Sequence, residues 1–512
     1  MRFTALVLGV GLLAVIAPAG AVSAAPDPSC PLSGTDDKCE TWTASFDHSL
    51  QNGPVALDEA AAMAVSPDGT RVFVTGNTAP SGATDHDMAT VAYDAATGAA
   101  AWQDLYSGPG GGDDVAEAVA VSPDGEHIFV AGMEDDVVAP GGWSTSSFSL
   151  RSLDAATGVP RWTATYDGSD VDGPYGFNHI YAMALSPDGS RVYVSGTSLG
   201  GGTDHDYSTI AYDASTGAFV WQARYDQDKG VDRPVALAVS PDGARVFVTG
   251  FSWRRLPGGG ISDPDVVTIA YDGATGDARW HDQFDGGAHR SDVPTALGVS
   301  PDGTRLYVTL DAAGPGTLGS PFGDLVTLSY DTATGARVWQ ARLTTPGVAN
   351  TGSDLAVSPD GSRLYVVGKT DTYTTTTSLV TRSADYVAVA YDAATGQQLW
   401  LNRYGFPQSS EEAAFGVAVT PDGQHVLVTG GSSDLYDTAV DNVATLSYTA
   451  SGAQEWVARY RNLASLDLDD PVGIVLDPAG RRAFVAGTFD VRPDAAHRSA
   501  AQYDFGTLAY TL

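Results

Sequence analysis

Eight times along this chain a short apolar run ends in a turn built on Pro-Asp-Gly or its variant, and a run of alternating apolar and small residues answers it. The first copy reads Ala60-Ala61-Ala62-Met63-Ala64-Val65, then Ser66-Pro67-Asp68-Gly69, then Arg71-Val72-Phe73-Val74-Thr75-Gly76. The turn recurs from Ser122, Ser186, Ser240, Ser300 and Ser358, then as Thr420-Pro421-Asp422-Gly423, and finally as Asp477-Pro478-Ala479-Gly480. Proline presets φ and glycine accepts a positive φ, so each pair of runs predicts a β-hairpin, strands A and B. A second hairpin follows in each unit, as in Thr90-Val91-Ala92-Tyr93, the turn Asp94-Ala95-Ala96-Thr97-Gly98, and a strand carrying Trp102. Trp162, Trp221, Trp280, Trp339, Trp400 and Trp456 occupy the same register. These are strands C and D.

The turn starts lie 56, 64, 54, 60, 58, 62 and 57 residues apart, a period suited to four-stranded propeller blades. The eighth unit reaches its third strand at Thr507 to Tyr510 and has no room for a fourth before Leu512. Near the other end, Glu40-Thr41-Trp42-Thr43-Ala44-Ser45-Phe46 has the form of a strand D with no strands A to C before it. The pattern therefore predicts an all-β fold, a single eight-bladed β-propeller over residues 26–512. Its N-terminal strand, near 40–46, completes the last blade with residues 471–512, which removes open sheet edges.

Residues 1–25 read as an export signal, with Arg2, an apolar stretch from Phe3 to Ile16, and the small residues Val22-Ser23-Ala24-Ala25 before a cleavage point. This predicts a secreted, extracellular protein. Cys30 and Cys39 are the two cysteines, and an oxidising compartment suits a disulfide between them that staples a short N-terminal loop. The formal charge is −35, a surface that repels nucleic acid and anionic membrane. No nucleophile elbow, phosphate loop or zinc spacing occurs.

The motif Ala92-x-Asp94-x-x-Thr97-Gly98-x-x-x-Trp102 resembles the tryptophan-docking motif of quinoprotein (PQQ-type) propellers. It returns at Ala211 to Trp221, Ala270 to Trp280 and Ala390 to Trp400. That resemblance implies a girdle of tryptophans locking adjacent blades. A longer stretch, Asp87 to Tyr93, on through Trp102 to Tyr106-Ser107-Gly108-Pro109-Gly110-Gly111-Gly112-Asp113-Asp114, is similar to the bacterial secreted β-propeller repeat family called SBBP. Members of that family are mostly propellers of unassigned activity. Quinoprotein dehydrogenases as a family use calcium, a catalytic aspartate and a disulfide between adjacent cysteines, which Cys30 and Cys39 do not supply.

The A–B and C–D turns are short and uniform, so the rim they share is expected to be inert. The B–C and D–A connections share the other rim and vary, from Asn77 to Ser81 up to Lys369 to Ser383, and variable loops on a rigid scaffold carry binding. Two acidic series map there. Asp58, Asp114, Asn178, Asp232, Asp292, Asn350, Glu412 and Asp469 open the innermost strands, a candidate ring of oxygen ligands at the channel mouth for calcium or a cationic substrate. Asp87, Ser147, Asp206, Asp265, Asp324, Asp385, Asn442 and Asp504 precede strand C. A residue repeated in every blade equally suits a loop-fixing job each blade needs. Asymmetric residues carry more functional information: Trp143 and Trp253 stand in B–C connections, Arg254 and Arg255 follow the latter, and His179 and His289 lie near the starts of inner strands.

The expected function is a non-enzymatic binding propeller for an extracellular glycan, protein or small molecule, working as a monomer. No cofactor is expected, and calcium is compatible. The alternative is a channel-mouth enzyme, a calcium-assisted hydrolase, lactonase or polysaccharide lyase, with PQQ-dependent oxidation behind it.

Overall fold

A computed structural model describes residues 40–512 apart from 47–56, 80–84, 140–142, 169–176, 200–204, 228–229, 255–261, 288–290, 314–322, 346–347, 376–379, 406–411, 434–440, 461–469 and 490–503. Cys30, Cys39 and the export segment lie outside the described residues.

The first blade comprises β2 (Leu57–Val65), β3 (Arg71–Ala79), β4 (Asp87–Asp94) and β5 (Ala100–Tyr106), paired antiparallel in chain order. Six more blades of the same order follow, β6 to β9 within residues 114–166, β10 to β13 within 179–225, β14 to β17 within 232–284, β18 to β21 within 292–343, β22 to β25 within 348–404, and β26 to β29 within 412–460. The eighth consists of β30 (Asp470–Leu476), β31 (Arg482–Phe489), β32 (Asp504–Thr511) and β1 (Trp42–Phe46). In it Trp42 pairs with Ala509 and Phe46 with Phe505. Consecutive first strands touch around the whole ring, β30 meeting β2 to close it. The fold is the eight-bladed propeller that the repeat predicts.

Strands B and C fill the middle of each blade and are buried on both faces. Val72, Phe73 and Val74 have no exposure, and the same holds for their counterparts Val246, Phe247 and Val248. Hydroxyl pairs span these two strands inside the core, Thr75 to Thr90 at 2.9 Å, Ser195 to Thr209 at 3.0 Å and Thr249 to Thr268 at 3.0 Å. Each hydroxyl thereby finds a partner away from water, which a buried polar group requires.

Wherever the next blade has a C–D turn, the tryptophan of strand D packs on it, and Trp456, facing the blade that has none, packs against Tyr510. Trp102 donates its indole N–H to Ala155 O at 3.1 Å, Trp162 to Ala214 O at 3.2 Å, and Trp280 to Thr332 O at 2.9 Å. Trp42 does the same from the last blade to the first, reaching Ala95 O at 3.2 Å. The turn that receives the ring is shaped by its aspartate: Asp94 Oδ1 accepts the Ala96 N–H at 3.0 Å and the Thr97 N–H at 2.9 Å. Its glycine has φ +73, and a Cβ there would sit 2.6 Å from Trp42 Cε3.

The Pro-Asp-Gly turns also link blades. Gly69 sits 3.2 Å (by its would-be Cβ) from Pro478 Cδ, Gly125 3.5 Å from Pro67 Cδ and Gly189 3.0 Å from Pro123 Cδ, a chain of contacts that runs around the ring. Inside each turn the serine hydroxyl donates to the aspartate, as Ser66 does to Asp68 Oδ1 at 2.6 Å, and accepts the Arg71 N–H at 2.9 Å. Asp477, in the variant copy, takes the serine's place by accepting the Arg481 and Arg482 N–H groups at 2.6 and 3.2 Å. Grooves of about 430 and 390 Å³ between neighbouring turns, one beside Pro187 and Pro241 and one beside Pro67 and Gly125, are copies of this same arrangement.

Candidate functional site

The residues that open the inner strands are buried beneath the variable rim. Asp58, Asp114, Asn178, Asp232, Asn350 and Glu412 have 0% exposure and Asp292 has 1%, while Asp469 lies outside the described residues. Asp114, Asn178, Asp232 and Asp292 hold the preceding D–A connection by its backbone. Asp232 accepts the Gln227 N–H at 2.9 Å, Asp292 the Gly286 N–H at 2.5 Å, and Asp114 the Gly108 N–H. Asn178 works from the donor side, giving Nδ2 hydrogens to Asp167 O at 3.0 Å and Ser146 O at 2.7 Å.

The second series sits beside the first across each blade junction. Arg224, on strand D, pairs with Asp206 at 3.2 Å, Arg342 with Asp324 at 2.8 Å, and Gln283 donates to Asp265 at 2.7 Å. Asp206, Asp226 and Asp232 bring one oxygen each within 4.8 Å of one another, and so do Asp265, Asp285 and Asp292 one junction later. Arg254 adds a cation to that later cluster, 2.9 Å from Asp265. Trp253 packs edge-on against Phe251, ring centroids 4.8 Å apart, and Arg255 and His289 lie outside the described residues.

Burial in this crowded acidic layer costs the charged form. Desolvation pushes Asp232 up to about 7, with Asp206 and Asp226 adding to the shift. Desolvation likewise moves Asp114 up to about 6, Asp311 to about 7 and Asp354 to about 6. A carboxyl whose pKa rises on folding weakens the fold as pH climbs from its unfolded value near 4 through its folded value. The turn aspartates behave oppositely: hydrogen bonds from Ser186 and Ser358 hold Asp188 and Asp360 at about 2, a contribution lost only as pH falls from 4 toward 2. Thermal stability should therefore peak near pH 4 to 5 and decline toward pH 8. Asp232→Asn is expected to raise Tm at pH 8 and leave it unchanged at pH 4. Asparagine already serves at the equivalent positions 178 and 350. Calorimetry at the two pH values checks this, and a lower Tm at pH 8 would show that the charge itself holds the junction.

Two features break the eightfold repeat on this rim. The first is a pair of long B–C hairpins. In the second blade β7 runs His127–Ala139 and β8 Trp143–Asp154, and in the sixth β23 runs Arg363–Thr375 and β24 Val380–Asp392. Trp143 thus begins a strand opposite Ala139 rather than sitting in a free loop. Most of Lys369 to Ser383, expected as a long loop, is likewise a ladder from Lys369 and Tyr386 to Thr375 and Val380. Its threonines, Tyr373 and Val380 favour the extended pleat. The two hairpins rise four blades apart, on opposite sides of the ring.

The second feature lies on the inner strands. Each has a β-bulge three residues after its opening residue, at Ala61, Glu117, Tyr181, Val235, Thr295, Ser353, Phe415 and Val472. A bulge leaves one residue unpaired and re-aims its side chain. Most of these are small or apolar, but those of blades two and three, Glu117 and Tyr181, join charged neighbours. Glu117 Oε1 lies 3.0 Å from His179 Nε2, the two side chains being 31% and 28% exposed. The His179 and Tyr181 rings lie 4.5 Å apart at 34°, and the Arg233 guanidinium stands 4.2 Å over the Tyr181 ring. Glu117, His179 with Tyr181, and Arg233 come from three successive inner strands, so this group spans one arc of the innermost layer. Of its four members sequence reasoning singled out only His179; an extra residue in a ladder leaves no mark in an Ala-rich apolar run.

Residues 36–294 and 146–356 match a family of propeller repeats described as outer membrane protein assembly factor BamB (PQQ_2). The chain belongs to this family. The BamB-family chain is also similar in fold to solved propellers. It resembles Sqt1 from Chaetomium thermophilum, solved bound to the N-terminus of ribosomal protein L10, with TM-score 0.55 and 13% identity over 91% of this chain and 98% of that one. It resembles a europium-containing methanol dehydrogenase with TM-score 0.51 and 15% identity over 92% and 93% of the two chains. Nothing among curated proteins matches the BamB-family sequence.

Proposed function

We propose that this protein is a secreted binding propeller of the SBBP type, whose ligand docks on the rim formed by the B–C and D–A connections. The contrast between the rims carries this reading. One rim is eight near-identical turns locked proline to glycine, whereas the other bears two opposed hairpins and a channel edge that differs from blade to blade. Binding propellers and enzymes share this scaffold, so fold alone does not choose between them. The closed repeat on the turn rim leaves little to distinguish one partner from another. Among the described residues the two long hairpins stand on the opposite face.

A glycan array, with soluble extracellular proteins arrayed beside it, tests the reading. Binding should fall at least tenfold when the tip of the β23–β24 hairpin is shortened or Trp253 becomes alanine. Arg279→Ala, among the exposed C–D turns of the other rim, should leave it unchanged. Loss from the Arg279 variant alone would overturn the assignment of the rim. The Glu117–His179 pair favours a second reading, acid–base chemistry in the channel mouth on a saccharide or lactone. Consumption of the bound ligand on prolonged incubation, abolished by His179→Gln, would decide for it.

A further inference from the structure

The group around Tyr181 has a chemistry of its own. In a protein with 62 acidic and 27 basic residues, an arginine ordinarily meets a carboxylate, and Arg151, Arg224, Arg254, Arg337 and Arg342 all do. Arg233 does not: among the described residues its guanidinium makes no ion pair and no hydrogen bond, and its close partner is the face of Tyr181. Stacking fixes the plane of the fork while leaving its N–H groups free, which is how arginine is readied for a planar oxyanion. The adjacent acid, Glu117, is turned to His179 and does not quench it.

We propose that the channel mouth binds a ring-bearing organic carboxylate, with Arg233 gripping the carboxylate through two parallel N–H···O bonds and the Tyr181 and His179 faces receiving the ring. This inference rests on the reading that the variable rim is the ligand face and names the chemistry at its centre. A single guanidinium matches the charge and shape of one carboxylate. A dianionic phosphate would meet the buried acidic layer beneath Arg233, beginning with Asp232, with one cation to offset it. The rest of the mouth suits a ring: by ring order Phe415 and Val472 lie across the channel from blades three and four, 39% and 37% exposed. Nothing equivalent exists in the fifth and sixth blades, where the matching positions are Val293 and Thr295, and Thr351 and Ser353. One arc of the mouth is therefore cationic and aromatic, and the facing arc is apolar.

Such a carboxylate has two sources, a uronic sugar or an aromatic acid, and titration calorimetry of the whole secreted chain separates them. The probes are galacturonate, benzoate and, as neutral partners, galactose and benzyl alcohol. Binding of galacturonate alone assigns a uronate, benzoate alone an aromatic acid, and both without the neutral partners the shared chemistry. Arg233→Ala should weaken the bound probe at least thirtyfold, and Arg233→Lys at least fivefold because the fork is lost. Tyr181→Leu should weaken it by about tenfold. Arg233 is exposed, so its variants should keep the wild-type Tm, and that measurement accompanies each titration. Failure of both carboxylates to bind, equal binding of a neutral partner, or an unaffected Arg233→Ala overturns the inference. If the hairpin variants still abolish array binding while no carboxylate binds, the ligand face stands and only its chemistry here is rejected.

Discussion

Trp42→Ala is expected to destabilise the protein by about 3–5 kcal/mol, the range for deleting a large buried aromatic side chain. Trp42 is 3% exposed, packs 5.8 Å from Phe484 and holds Ala95 O across the junction between the last blade and the first. The substitution should do more than open a cavity. Strand β1 is five residues long and is the one outer strand that no C–D turn joins to its blade. Without the indole it keeps only its ladder to β32 and the smaller contacts of Ala44 and Phe46. Trp280→Ala, in a blade whose strands C and D are continuous, is the matched control. Urea unfolding should place the Trp42 variant at or below the Trp280 variant. Limited proteolysis should cut it on the N-terminal side of residue 57 well before global unfolding. Equal protease resistance in the two variants would show that β1 is held without its tryptophan.

Gly217→Ala is expected to cost roughly 3 kcal/mol or more, from two separable causes. The glycine has φ +72, a conformation that costs an L-residue about 1–2 kcal/mol. Its would-be Cβ also lies 2.6 Å from Cε3 of Trp162, so the indole must move and weaken its 3.2 Å bond to Ala214 O. Gly111→Ala isolates the first cause, since Gly111 has φ +66 and nothing within 4 Å of the added carbon. The difference between the two midpoints in denaturant measures the inter-blade contact alone. Should the two variants fall together, the tryptophan girdle would be yielding enough to accept a methyl group.

These two sites also show which parts of the architecture the sequence declares. Blade number, strand order and closure by Trp42 follow from a turn motif with a backbone mechanism and from a tryptophan in fixed register. Both signals are local. The proline-to-glycine contacts of the turn rim are not legible in the motif because they join residues more than 50 positions apart, and a motif that suffices as a turn hides its second role. The acidic series at Asp58, Asp114 and Asp232 was visible as a pattern, but a pattern does not tell which way a carboxylate faces. In the structure Asp114 and Asp232 face the backbone of the preceding connection. Glu117, Tyr181 and Arg233 were illegible for a different reason. Their meeting depends on bulges at Glu117 and Tyr181, in runs that contain no glycine or proline to announce one, while Arg233 is paired in register and Pro234 beside it marks the bulge at Val235.

The pairing of β1 with β32 sets the order in which this molecule can be built. Thr41 donates its hydroxyl to Ala509 O across 468 positions, so the ladder that shuts the ring joins the first described strand to the last. Local hairpins form early and pairings of such span form late. Each blade can therefore condense as it is completed, but the assembly stays an open arc with a bare strand at one end and an unfilled slot at the other. Those two ends are mutually complementary, and a neighbouring arc at high concentration offers the same slot. Rapid refolding of concentrated protein should accordingly yield chains linked head to tail through β1, while slow, dilute refolding returns closed rings.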